Sequence, residues 1–146
     1  AWTDQVEQGG NDCAVAGWSM TSELGTAAPF LIVSNVEDAV TFYQNRLGFS
    51  VTALAPEKDP FFAIVERGQA MILLKTVEAA PLPNPTRDSS ARWDIYVTAP
   101  DPDALASEFK GNGVRFTKPL RNSHDGLRGF EIRDVDGYVL FFGRPR

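Results

Sequence analysis

Two rhythms of apolar positions run along this chain, and each occurs twice. Phe30 to Val33 is a short unbroken apolar run bounded by polar residues, which predicts a strand. Val36, Val40, Phe42, Tyr43 and Leu47 then recur at helical spacing. Asn35 stands where a helix cap belongs, with Asp38 in an acidic first turn, and Gly48 suits the left-handed stop. Three strands are predicted next, at about 49–54, 61–66 and 70–75, separated by Pro56 to Pro60 and by Arg67-Gly68. From residue 93 the order returns. A strand at 93–97 precedes a helix opened by Asp101 and Asp103 and ended by Gly113. Strands follow near 114–117, 129–133 and 138–142, and Asp134-Val135-Asp136-Gly137 supplies the turn between the last two.

The two halves are copies at an offset of 65 residues. Asp38-Ala39-Val40 returns as Asp103-Ala104-Leu105, Gly48 returns as Gly113, and Ala28 falls on Trp93. The prediction is an α+β domain over 28–146. It is built from two β-α-β-β-β modules, at about 28–76 and 92–146, that form a cupped mixed sheet. Pro81, Pro83 and Pro85 mark 77–91 as the linker between them. Residues 1–27 have no clean period and read as an N-terminal extension, either a tail or an arm that packs on a partner subunit.

These motifs resemble the vicinal oxygen chelate superfamily, which includes glyoxalase I, the extradiol dioxygenases and the bleomycin-resistance proteins. The resemblance is carried by Asn35 through Tyr43, by Leu47-Gly48-Phe49 and by Gly129 through Gly137. It implies the glyoxalase/bleomycin-resistance fold. It also implies that metal-using members take their ligands from the first and last strands of each module. Those positions count to Ala28, Ile72, Trp93 and Phe141 here. Alanine, isoleucine and phenylalanine offer no donor atom, and the indole offers only an N–H. The chain has one histidine, His124, so a two-histidine site is out of reach and no metal or other cofactor is expected.

What remains is an aromatic-lined cup. Trp93 and Phe141, with Ala28, Ile72, Phe61 and Phe130, are the candidate ligand contacts. His124 and Arg128, in the loop that borders the cup mouth in the resembled family, are candidate rim contacts. The reading is a metal-free binding protein of bleomycin-resistance type that sequesters an aromatic drug or metabolite, with no catalytic residue assigned. The alternative is a lyase or isomerase working without its own histidine-based metal site, drawing on Asp94, His124 or Tyr96. The resemblance also implies pockets completed by a second chain, so a homodimer is expected.

Charge narrows the partners. Asp4, Glu7, Asp12 and Glu23 take four of the 19 acidic residues into the extension, leaving 15 against 14 basic ones in the domain. Such a domain has no electrostatic footprint for nucleic acid. No apolar run reaches the ~20 residues of a membrane span. Cys13 is the only cysteine, so no internal disulfide is possible, and a reducing, cytoplasmic setting fits.

Overall fold

The computed structural model describes residues 22–146. Cys13, Trp2, Trp18 and most of the extension therefore lie outside the described residues. The elements are β1 (Phe30–Val33), α1 (Val36–Asn45), β2 (Ser50–Ala55), β3 (Phe62–Arg67), β4 (Ala70–Thr76), α2 (Asn84–Arg87), β5 (Ile95–Thr98), α3 (Pro102–Gly111), β6 (Phe116–Asn122), β7 (Leu127–Arg133) and β8 (Val139–Pro145). They form two four-stranded mixed sheets, ordered β1-β4-β3-β2 and β5-β8-β7-β6. In each sheet the first strand lies parallel to the last and the other pairs are antiparallel.

The caps form as the residue types dictate. Asn35 accepts the Asp38 N–H at 2.9 Å, and Asp101 accepts that of Ala104 at 3.0 Å. Gly48 and Gly113 end the helical segments with φ of +72° and +81°. The linker is not wholly irregular, since it holds the single turn α2 after Pro83. Strand β6 runs five residues past its predicted end. Pro119 and two register shifts interrupt its ladder, which an edge strand tolerates.

Each helix covers one face of its own sheet. Leu31, Val33, Val65, Ile72 and Leu74 are buried with Val36, Ala39 and Tyr43 of α1. Ile95, Ile132, Leu140 and Phe142 are buried with Ala106 and Phe109 of α3. Two of the expected cup residues lie on the helix side of their sheets. Ile72, 1% exposed, belongs to the core on the helix side of its sheet. Phe130, also 1% exposed, stacks between Phe116 and Phe142 and meets Phe109 edge-on. The offset of 65 holds at Gly48 and Gly113 but not between β1 and β5. Leu31 and Ile95 are the equivalent inward residues, paired with Leu74 and Leu140, and they stand 64 apart. Trp93 therefore corresponds to Pro29 and not to Ala28.

The modules meet through their helices and hairpin turns. Tyr43 of α1 donates to Asp134 Oδ2 at 2.7 Å, and the Ser34 N–H donates to Asp136 Oδ1 at 3.1 Å. Across the pseudo-symmetry axis, Arg67 forks onto both oxygens of Glu108 at 2.8 Å, and Glu108 lies 65 residues after Tyr43. Arg46 donates to the carbonyls of Asn112 and Gly113.

Asp134 is the buried partner in this seam. Burial pushes its carboxyl up from 3.8 to about 6, against the lowering effect of hydrogen bonds from Tyr43 and from the N–H groups of Asp136 and Tyr138. A folded-state value above the unfolded one makes the associated stability complete below about pH 4. It is lost as pH rises through about 6. The gap corresponds to ~3 kcal/mol. Urea unfolding should therefore show the wild type losing about that much relative to Asp134→Asn between pH 4 and pH 7. Parallel pH dependences for the two proteins would show that Asp134 is not titrating there.

Candidate functional site

The faces turned away from α1 and α3 carry no helix. In the second module, strand alternation sends Tyr96, Phe141, Glu131 and Lys118 to this open face as one cross-strand row. Gly129 and Gly143 sit opposite each other one step along. The Phe141 ring lies over this glycine pair, since a Cβ at Gly129 would stand 2.5 Å from its Cζ and one at Gly143 would stand 2.7 Å from its Cε2. Two missing side chains thus let an aromatic ring lie down on the sheet.

Other rings build on it. Trp93 stacks on Phe141 at 4.7 Å between centroids, 25° from parallel, and Tyr96 stacks on Phe141 at 5.4 Å. Trp93 and Tyr96 are 5.5 Å apart. The outer face of Trp93 carries the Arg92 guanidinium at 4.3 Å. Arg92 is held there by Asp125. The Ser123 hydroxyl first, and Arg92 second, keep the Asp125 carboxyl down at about 2. Beside the stack is a crevice of about 10 Å³, edged by Lys118, Arg121 and Glu131. It has room for roughly one water.

A larger cavity, about 680 Å³, opens at the free edge of β5 between the modules. Its walls are mostly apolar, with Met71, Ile72, Val97, Leu105 and Phe109 among them and Arg67 and Asp101 at its margin. The volume suits a drug-sized molecule. Tyr96, 40% exposed, lines this cavity and also belongs to the aromatic cluster, so the two features share one ring.

The structure brings Trp93 and Phe141 together and disperses the other expected contacts. Ala28 lies just before β1, half-buried, and Ile72 lines the large cavity from the helix side. Phe61 is half exposed just before β3 with the Lys75 ammonium 5.8 Å above it. His124 is exposed at the tip of the β6–β7 hairpin. Arg128, expected at the rim, is engaged elsewhere in this structure. It forks onto Asp103 at 2.7 and 2.8 Å and ties β7 to α3 on the helix side. Asp94 accepts the N–H groups of Asn84 and Val139, so its carboxylate is spent on the backbone.

The donor set does not fit a metal of the kind found in metal-using relatives. Trp93 and Phe141 lend the open face no lone pair, and its inward carboxylate, Glu131, accepts the Thr117 hydroxyl. Among the described residues no three His, Cys, Asp or Glu side chains group closely enough to hold an ion. Tyr96, Lys118 and Arg121 are the site residues that sequence reasoning missed as ligand contacts. Alternation along β6 would send Lys118 and Arg121, three residues apart, to opposite faces; the register shift between them brings both to the face of Glu131 and Gly129.

Comparison with known proteins matches this architecture. A family model described as the Glyoxalase/Bleomycin resistance protein/Dioxygenase superfamily matches residues 23–142. The bleomycin-binding protein of Streptomyces verticillus, solved with copper(II)-bleomycin, superposes with a TM-score of 0.64 at 26% identity, covering 87% of this chain and 100% of that one. TioX from Micromonospora sp. ML1 gives 0.65 at 18% identity, covering 82% and 97%. TnmS3, an antibiotic binding protein from Streptomyces sp. CB03234, gives 0.63 at 21% identity, covering 88% and 100%. The likeness to these last two is one of fold. No curated protein sequence matches the chain. No helix among the described residues is long and apolar enough to cross a membrane.

Proposed function

Because the chain belongs to the glyoxalase/bleomycin resistance protein/dioxygenase superfamily, we propose that it is a binding protein for a planar aromatic small molecule, which it sequesters without turning it over. The observation that carries this reading is the cluster of Tyr96, Phe141 and Trp93 on a sheet face that no helix covers, where Phe141 is itself buried and Tyr96 and Trp93 supply the accessible ring surface. Aromatic rings on a helix-free face are costly to leave in water, and they suit a flat apolar partner. The ligand takes the place of Arg92 on Trp93. Losing the cation–π contact costs ~0.5–1 kcal/mol, and the exposed pair with Asp125 contributes at most about as much. A ring system burying ~150 Å² of apolar surface gains ~4 kcal/mol before the costs of association, so displacement is favourable.

The large cavity favours a second reading, in which the ligand enters between the modules and touches the stack only through Tyr96. The two differ in what blocks them. Leu105→Trp fills the cavity and leaves the open face intact, whereas Trp93→Ala removes the face and leaves the cavity. Calorimetric titration of both variants with hydroxymethyl anthracene, a neutral three-ring probe, decides between them. Retained binding by Leu105→Trp with loss in Trp93→Ala supports the open face. The reverse pattern assigns the cavity, and binding unaffected by either variant overturns both.

The first module argues for a homodimer. Phe30 is 57% exposed on its open face, where Ile32, Phe62, Ile64, Met71 and Leu73 are only partly covered. Strands β1 and β5 each leave one edge unpaired. A second copy covering this face would close the cup. Sedimentation at micromolar concentration should return twice the 16.0 kDa chain mass. A particle of single-chain mass would refute the dimer.

A further inference from the structure

The open face of the second module is cationic, although the chain as a whole carries −5. Three cations, Arg92, Lys118 and Arg121, line the crevice beside Trp93 and Phe141 against one carboxylate, Glu131. The pairing of β6 with β7 fixes this placement. Lys118 faces Glu131 and Arg121 faces Gly129 across the ladder, so both long side chains rise on the same side as the Phe141 ring. Each carboxylate nearby has a partner of its own. Glu131 accepts the Thr117 hydroxyl, and Asp125 holds Ser123 and Arg92. The side chains of Lys118 and Arg121 make no ion pair with a described residue.

We infer that the ligand of this face is anionic: a planar aromatic bearing a carboxylate, sulfonate or ionised phenol at one rim. This rests on the open-face reading above and names its ligand class. A flat ring on Trp93 releases the Arg92 guanidinium from the indole. Its anionic rim then lies over the crevice between Lys118 and Arg121, where the low-dielectric aromatic wall strengthens the attraction. A cationic ligand meets a net positive crevice at the same place. Charge therefore selects among ligands that the aromatic surface alone would accept equally.

The test is a charge series on one ring system: anthracene carboxylate, neutral hydroxymethyl anthracene and cationic aminomethyl anthracene, each titrated calorimetrically at low and high salt. The carboxylate should bind about tenfold or more tighter than the ammonium analogue at low salt, with the gap narrowing as salt screens the cluster. Lys118→Gln combined with Arg121→Gln should abolish most of that preference, so that the carboxylate binds this variant no more than about twofold tighter than the ammonium analogue does. Equal affinities across the series, or a preference that survives the double change, would overturn the anionic assignment and leave the aromatic binding face standing. Failure of all three compounds to bind would overturn the face itself.

Discussion

Trp93→Ala lowers the affinity for a three-ring aromatic probe by about 30-fold or more, the loss expected when a central aromatic contact of ~2 kcal/mol is removed. Two consequences of the truncation add. The ligand loses its stacking partner, worth ~0.5–1.5 kcal/mol beyond the area buried. It also loses the indole as apolar surface, at ~25 cal/mol per Å². Trp93→Phe keeps a ring at the same place and should recover most of the affinity. That recovery separates stacking from any general loosening of the segment before β5. The substitution leaves the fold intact, because Trp93 is only half-buried and its backbone neighbour Asp94 makes the anchoring hydrogen bonds to Asn84 and Val139. Circular dichroism matching the wild type, with binding reduced as stated, is the expected pair of results. Binding unchanged by Trp93→Ala would leave the inter-module cavity as the ligand's place.

The architecture was legible because capping and stop residues are chemically specific. Asn35 and Asp101 cap as their side chains require, Gly48 and Gly113 stop as positive φ requires, and β1 has the bounds its apolar run predicts. The site was legible only in part, because alternation says which residues share a face and not which face a helix covers. Counting from the motifs puts Ile72 and Phe141 in one cup, yet Ile72 turns toward α1 and Phe141 turns away from α3. Leu74 and Leu140 are the equivalent residues of β4 and β8, so Phe141, next to Leu140, and Ile72, two before Leu74, fall on opposite faces. Arg128 looked like a rim residue because its partner Asp103 is 25 positions away on a different element. Tyr43 and Asp134 lie 91 positions apart, so the chain read singly shows a helix-face aromatic and a turn aspartate and gives no sign of their bond. Lys118 and Arg121 escaped notice for a related reason. Pro119 between them weakens the strand signal, and only the pairing with β7 shows that they share a face with Phe141.

Gly129→Ala destabilises the fold by ~3 kcal/mol or more, because the added methyl has nowhere to go. Its Cβ would stand 2.4 Å from the Phe142 carbonyl oxygen, 2.5 Å from Phe141 Cζ and 2.8 Å from the Gly143 Cα. A side chain could swing aside, but the carbonyl and the Cα belong to the β7–β8 ladder, and moving them parts the strands at the centre of the sheet. Gly143→Ala meets the mirror obstacle, with the Arg128 carbonyl oxygen at 2.4 Å, and should behave alike. Glycine inside a strand ordinarily weakens it, so a facing pair of glycines marks a close approach that the structure uses. Here the close approach is that of the Phe141 ring, on which Trp93 and Tyr96 then stack. Two further variants isolate the cause. Gly111→Ala has open space around its Cβ and an ordinary φ, so the same added methyl should be neutral or slightly stabilising there. Adding Phe141→Ala to Gly129→Ala removes the ring clash and keeps the backbone clash, so it should restore little of the lost stability. Guanidinium unfolding of the four variants measures all of this. A Gly129→Ala protein within ~1 kcal/mol of wild type would mean that the ring and the ladder yield easily, and the Phe141 platform would then not be rigid enough to pre-arrange a binding face.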